Sequence, residues 1–451
     1  MKKLFGTDGI RGIWNEDISP KLAYDIGKAV AKVFERENEK NLIVVGKDTR
    51  LSCDTLLSCL CSGITACGFD VIILDIVPTA CVPFSIKFHN ANAGIMITAS
   101  HNPAKHNGFK FFNGNGFKIS PEQESHIEYL IKNSCDISLC DYDKIGKIFH
   151  SRKSVREYIN FLKKELKQTK NLKICFDTAH GCASEIIKEV FKHHNIVVYN
   201  GDFDGLNTNL ACGANHIETL KSYVENGDFD IGFSFDGDAD RLGVMLRGGK
   251  VLSGEEVIYF LAKEYKNEAV VVSLMTNMAL CSKLESEGIN CVVCGVGEKE
   301  IMDALLENNL LLGCENNGHY TLLDKTTTSD GILSAIKLLN IFIENGNLNV
   351  DYTPNYQVNK NVKVGNKEEI LKSNILQQKL NICESMLLES GRIVLRPSGT
   401  ENLIRILVEG TDKRIVDEIV FELEKTILEI AYWLTSFCVL KLAHGKSWIY
   451  G

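Results

Sequence analysis

The stretch NLIVVGKDTR, residues 41–50, passes from a short apolar run through Gly46 into a polar, charged segment. A run of this length, ended by glycine, reads as a strand buried on both faces that opens into a loop. Leu56, Leu57 and Leu60 follow at helical spacing, and GFDVIILDIVP (68–78) supplies a second apolar strand. The plan recurs twice. NLKICFDTAHG (171–181) leads through ASEIIKEVFKHH to NIVVYNG, and NEAVVVSLMTN (267–277) leads through MALCSKLESEG to INCVVCGVG. Strand, loop, amphipathic helix and strand in that order is βαβ grammar. Three units, starting near 41, 171 and 267, predict three α/β domains of similar build.

Between the first two units, SVREYINFLKKELK (154–167) reads as a connecting helix, with Ser154 and Glu157 at the spacing of a capping box. Beyond about residue 355 the pattern changes. YQVNKNVKV, a polar helix and GRIVLRPSGTENLIRILVEG precede a helix with Ile415, Ile419, Leu423 and Ile427 on one face. These predict a smaller α+β domain. The final stretch, 430–451, carries two of the three tryptophans and no clear pattern. The expected boundaries are 1–152, 153–252, 253–356 and 357–451.

A chain of 451 residues exceeds one ordinary core, in keeping with several domains. Its 45% hydrophobic and 24% charged residues are those of a globular protein. The net charge of −8, without any block of lysine or arginine, argues against nucleic acid and membrane as partners. No apolar stretch approaches the roughly 20 residues of a membrane helix, and MKKLFGTDGIRG lacks the apolar core of a secretory signal. Sixteen cysteines without such a signal read as reduced thiols in the cytoplasm. Cys291 and Cys294 form a lone CxxC within a strand, which reads as structural rather than metal-binding.

Six segments could carry chemistry. In FSFDGDADRLG (233–243), Asp236, Asp238 and Asp240 alternate after an apolar strand, so their carboxylates can face one side. Three such charges repel unless a cation sits among them, and oxygen ligands suit Mg²⁺. An EF-hand is excluded, because Arg241 and Arg247 stand where glycine and glutamate would be needed. RPSGTENLIR (396–405) reads as a turn in which the N–H groups of Ser398, Gly399 and Thr400 make an anion nest flanked by Arg396 and Arg405. GCENNGHYTLLDKTTTSDG (313–331) gathers Glu315, Asn317 and His319, a contact set suited to sugar hydroxyls. FGTDGIRG (5–12) places Arg11 among glycines, and GVGEKE (295–300) offers Lys299. The sixth, AGIMITASHNPAKHNGFK (93–110), sets Ser100 and His101 just past an apolar run, with no Ser-His-Asp arrangement nearby. A serine that collects a metal triad and a phosphate nest fits a phosphate carrier.

GTDGIRG, TASHNP, DGDADR, ENNGH and RPSGTE, in this order, closely resemble the motifs of the α-D-phosphohexomutase family. FGTDGIRG and RPSGTENLIRILVEG point within it to members acting on glucosamine phosphate. The resemblance implies three related mixed α/β domains plus a C-terminal α+β domain of the TATA-binding-protein-like type around a central cleft. It implies interconversion of glucosamine 6-phosphate and glucosamine 1-phosphate through glucosamine 1,6-bisphosphate, supplying UDP-N-acetylglucosamine synthesis. It implies phosphorylated Ser100, bound with Asp236, Asp238 and Asp240 to one Mg²⁺. Arg11, His101, Lys110, Arg241 and His319 fall on catalytic positions. Lys299, Glu315, Asn317, Arg396, Ser398, Gly399, Thr400 and Arg405 fall on substrate-binding ones. Three departures stand out: Asn317 replaces the usual serine, Asn402 replaces a proline, and Gly297-Glu298-Lys299 replaces G-D-R. A small sugar phosphate is the expected partner, and a homodimer is compatible with it. Glucose or mannose phosphate is the nearest rival substrate, a metal-dependent phosphatase the rival reaction, and a silent sugar-phosphate sensor the non-enzymatic alternative.

Overall fold

The computed structural model describes residues 4–36, 41–168, 172–265, 269–388, 391–398 and 401–444, with side chains through Leu434. Contacts divide the chain into two units, 1–276 with 287–350, and 277–286 with 351–451.

The opening stretch forms the strand Leu42–Lys47, followed by the helix Cys53–Thr65 and the strand Asp70–Ile76, which pairs parallel to the first. Ala93–Ile97 pairs parallel on its other side. All five residues Leu42–Gly46 are buried because successive side chains enter different layers. Ile43 and Val45 join a core with Ile26, Leu56, Leu60 and Ile64. On the other face a Cβ at Gly46 would press on Val77 and Val82, and one at Gly94 on Ile86. The helices Pro20–Val33 and Cys53–Thr65 cross where two glycines meet: a Cβ at Gly27 would lie 2.3 Å from the Leu60 carbonyl, and one at Gly63 2.2 Å from that of Tyr24. The full sheet has seven strands in the order Phe5–Gly6, Gly9–Ile13, His106–Asn113, Ala93–Ile97, Leu42–Lys47, Asp70–Ile76, Ile148–His150.

The second and third repeats give the parallel pairs Lys173–Asp177 with Asn195–Tyr199 and Ala269–Ser273 with Asn290–Cys294. They belong to a five-stranded and a four-stranded sheet, each mixed by antiparallel partners. The fold class is therefore the expected one. In the strand Asn290–Cys294, Cys291 and Cys294 are three residues apart and so face opposite sides of the sheet. The second unit holds a three-stranded antiparallel sheet, Tyr356–Lys363, Leu403–Gly410 and Gly391–Pro397, with the helices Asn374–Leu387 and Lys413–His444. Val416, Ile419, Leu423 and Ile427 are buried in its core.

Two local readings need correction. The connecting helix starts at Lys153 with Arg152 as its N-cap and no side-chain cap bond. Ser154 lies inside it with a buried, unpartnered hydroxyl, so the capping box is absent. Genuine boxes form instead at Ser120–Gln123 and Ser253–Glu256. The chain past Ile430 is not patternless either, since the last helix runs on to His444. Among the described residues no helix is long and apolar enough to cross a membrane.

Asp330 caps the helix Gly331–Asn345 through the Leu333 N–H and accepts the Tyr158 hydroxyl at 2.8 Å. Burial pushes its carboxyl up to about 6. Below about pH 3 the group is protonated whether the chain is folded or unfolded, and costs nothing. As pH rises toward 6 the unfolded chain ionises first, so stability falls and then levels off. Asp330→Asn is expected to lack this fall, a difference on the order of 2 kcal/mol. Urea denaturation of both proteins from pH 4.5 to 7 checks it; parallel stability curves would contradict it.

Candidate functional site

Ser100 and the acidic triad lie just past the C-terminal ends of the central strands Ala93–Ile97 and Ile231–Phe235, where open α/β sheets form their crevices. Distant segments meet there. The Ser100 Oγ donates to Asp236 Oδ2 at 2.7 Å across 136 residues of sequence. Ser100 is buried and has φ 50°, a left-handed conformation that costs a non-glycine residue roughly 1 kcal/mol or more. Its N–H donates to Thr98 Oγ1, whose hydroxyl donates to Asp48. Close approach of the two loops depends on Gly237, where a Cβ would sit 2.9 Å from the Ser100 carbonyl oxygen.

Asp236, Asp238 and Asp240 are all buried, and one ligand atom from each lies within 4.8 Å of the others. Among the described residues Asp238 Oδ1 has no hydrogen-bond partner, while Asp240 Oδ1 faces His319 Nε2 at 3.3 Å. Burial and the two neighbouring carboxylates push Asp236 up to about 8. Asp238 Oδ2 accepts the Thr79 hydroxyl at 2.6 Å and pairs with Lys110 at 2.7 Å. Lys110 also pairs with Asp240 and lies 3.5 Å from Asp8. Burial disfavours its charge, yet Asp238, Asp240 and Asp8 hold the ammonium well above its usual range. It is a cation in this arrangement, not a proton acceptor.

His101 Nδ1 is 3.4 Å from Ser100 Oγ, and burial with Arg241 and Arg11 lowers the imidazole to about 4. His319 behaves oppositely. Burial opposes its charge, but Asp240 at 3.3 Å and Glu315 at 3.6 Å raise it to about 9. Arg11 pairs with Asp8, and the Arg241 backbone N–H donates to Asp236 Oδ1, while both guanidinium Nε atoms are buried without a partner among the described residues. Glu315 accepts the Gly297 N–H at 3.0 Å, and exposed Asn317 bonds His319.

Not every expected residue joins this cluster. Lys299 is partly exposed, 3.9 Å from Glu124. The buried member of that motif is Glu298, which pairs with Lys118 and accepts from Thr328 and Ser329; Lys118 in turn pairs with Asp8. Arg396, Ser398 and Arg405 belong to the second unit, with Arg396 opposite Arg405 across the hairpin. Gly399 and Thr400 lie outside the described residues. The nest needs revision, because the Ser398 N–H is spent on the Leu403 carbonyl at 3.0 Å. Lys367, unnoticed in sequence, lies against the Ser398 and Glu401 carbonyls. Thr79, Asp8, Arg50 and Asn209 were also missed, and only the D-x-R that ends GKDTR offered a signal.

Residues 2–136, 156–249, 253–353 and 360–425 match, in turn, the alpha/beta/alpha domains I, II and III and the C-terminal domain described for phosphoglucomutase/phosphomannomutase. The chain belongs to the phosphoglucomutase/phosphomannomutase family. Within this family it is 38% identical over 446 residues to the phosphoglucosamine mutase of Finegoldia magna, covering 95% of this chain and 99% of that one. It is 36% identical, with the same coverage, to that of Acetivibrio thermocellus. The fold is shared with a phosphoglucomutase/phosphomannomutase family protein from Burkholderia thailandensis, at TM-score 0.79 and 20% identity over 94% of this chain and 97% of that one. It is also shared with the Aspergillus fumigatus N-acetylphosphoglucosamine mutase solved with GlcNAc-6P and magnesium, at TM-score 0.67 and 17% identity over 95% and 96%.

Proposed function

We propose that this family member interconverts glucosamine 6-phosphate and glucosamine 1-phosphate, with Ser100 as the phosphoryl carrier and Mg²⁺ as the cation of the acidic triad. The observation that carries the reading is the Ser100 hydroxyl 2.7 Å from Asp236, inside a cluster of three buried carboxylates. The relatives named phosphoglucosamine mutase support glucosamine as the sugar. An oxygen-only donor set, with a buried Asp238 Oδ1 that has no hydrogen-bond partner among the described residues, fits a hard divalent cation. Asp236, Asp238 and Asp240 would hold it beside Ser100, where it would neutralise the phosphoryl oxygens.

Phosphorylated Ser100 faces the C1 hydroxyl of glucosamine 6-phosphate. The sugar oxygen forms a bond to phosphorus as the Ser100 oxygen–phosphorus bond breaks, giving glucosamine 1,6-bisphosphate. The neutral His101 imidazole, beside Ser100 Oγ, is placed to take the hydroxyl proton. After the bisphosphate turns around, Ser100 takes back the other phosphoryl group and glucosamine 1-phosphate leaves. Arg11 and Arg241, each with a buried Nε that has no partner among the described residues, supply donors for phosphate oxygens. Glu315 and Asn317 are assigned to the sugar, and Arg396, Ser398 and Arg405 to phosphate binding. All described cysteines are free thiols, which suits a cytoplasmic enzyme.

The test is mass spectrometry of the Ser100 peptide from purified protein, before and after incubation with each sugar phosphate. Glucosamine phosphate should discharge the phosphoserine most efficiently. A Ser100 peptide that never carries phosphate would overturn the reading. Greater kcat/KM on mannose or glucose phosphate would change the sugar and leave the chemistry standing.

Lys110 gives a further check. Its ammonium shares Asp238 and Asp240 with the proposed cation, and like charges repel. Lys110→Met is expected to bind Mg²⁺ about tenfold more tightly when unphosphorylated. Calorimetric titration measures this; weaker binding would show that Lys110 supports the cation instead.

A further inference from the structure

The buried guanidinium of Arg50 has an unusual set of partners. Its Nε donates to Asp48 at 2.9 Å, Nη1 to the carbonyls of Pro103 and His106 at 2.7 and 3.1 Å, and Nη2 to those of Ser100 and Asn102 at 2.8 and 2.7 Å. Five bonds match the five N–H donors of an arginine, and four of the acceptors belong to one loop. The side chain is fully buried, as is that of its counter-ion Asp48. Asp48 also fixes the same loop from its start, through Thr98 Oγ1 and thence the Ser100 N–H. Asn209, from the next repeat, donates to the Ser100 and Asn102 carbonyls at 2.8 and 3.2 Å. Both peptide groups of Ser100 are thus held, while its side chain points at Asp236.

We infer that Arg50 is a positioning residue for phosphoryl transfer, clamping the Ser100–His106 loop so that Ser100 stays left-handed with its hydroxyl against the triad. A left-handed serine needs surroundings that over-determine it. A lone stabilising bond would not supply that; a rigid planar fork satisfying four carbonyls in one loop does. Lysine has the charge but not the fork, so it cannot reproduce the geometry. A displacement of about 1 Å at a reacting group costs on the order of 10²-fold in rate. Arg50 touches neither the triad nor any group assigned to the sugar, so substrate binding should be spared. This rests on the proposed carrier role of Ser100.

Arg50→Lys is the test, with Lys28→Met as a control. Lys28 is a buried cation of the same unit whose partners are Asp25 and the Ser134 carbonyl. Two measurements are made well below both melting temperatures: steady-state kcat and KM, and single-turnover loading of dephosphorylated Ser100 by glucosamine 1,6-bisphosphate. Arg50→Lys is expected to lose about 10²-fold in kcat and in loading rate with KM within about threefold, while Lys28→Met keeps both rates. Rates in Arg50→Lys that fall no further than in the control, or a KM that rises in proportion, would overturn the clamp. If Arg50→Lys does not fold, Asn209→Ala carries the test: it should lower the loading rate by about tenfold, and an unchanged rate overturns the proposal. Absence of loading in the native protein would instead remove the carrier role itself, so the two failures are told apart.

Discussion

Ser100→Ala is expected to fold normally and to lose kcat by about 10⁴-fold or more on glucosamine 6-phosphate. The fold should survive because the strained position does not depend on the hydroxyl. Alanine already occupies a left-handed position in the facing loop, at Ala239 with φ 58°, and the Ser100 backbone bonds to Thr98, Arg50 and Asn209 remain. The neighbouring hydroxyl cannot substitute, since Thr98 Oγ1 is committed to Asp48 and to the Ser100 N–H. With no oxygen to carry the phosphoryl group, the reaction loses its covalent relay rather than one stabilising contact. Steady-state turnover with a matched thermal melt measures both halves of the expectation. Residual activity above about one per cent, with the fold intact, would remove Ser100 from the chemistry.

Asp238→Asn should have the next largest effect. The substitution preserves shape and can still accept the Thr79 hydroxyl that Asp238 binds at 2.6 Å. It removes one of the three carboxylates and leaves an amide where a buried carboxylate oxygen has no partner among the described residues. Metal affinity should fall by about 10²-fold or more, and kcat at low Mg²⁺ by about 10³-fold, partly recovered at high Mg²⁺. Removing Mg²⁺ from the native enzyme with a chelator should silence it reversibly. Calorimetry on the unphosphorylated protein gives the affinity without reference to turnover. Equal affinity in the two proteins would mean that the cluster does not hold the cation.

Much of the site could be read along the chain because its parts are short and local. Asp236, Asp238 and Asp240 lie within five residues, and Ser100 comes three residues after a buried strand ends at Ile97. Two readings, at Lys110 and Lys299, turned on a partner far away in sequence, and two, at Ser398 and Ser154, on local register. Lys110 falls on a catalytic position by resemblance, but its charge is set by Asp238 and Asp240, about 130 residues on. Ser398 promised a free N–H, but the hairpin register spends it on Leu403. In the G-E-K motif the buried, bonded residue is Glu298 rather than Lys299, because Lys118 and the Thr328–Ser329 turn converge on it. Ser154 has the spacing of a cap, but the helix begins one residue earlier and takes it inside.

The sequence by itself determined the three βαβ repeats, the smaller antiparallel unit and the identity of the acidic and serine segments. Those depend on hydrophobic periodicity and on glycine-marked turns, which act over a few residues. Only the tertiary structure decided which charges are paired, which histidine is neutral and what holds Ser100 in place. Burial and Coulomb interactions between segments set those properties, and neither is a function of spacing along the chain. Arg50 shows the difference most plainly: in the sequence it is one arginine after a strand, and in the fold it is bonded to four carbonyls of the loop that carries Ser100.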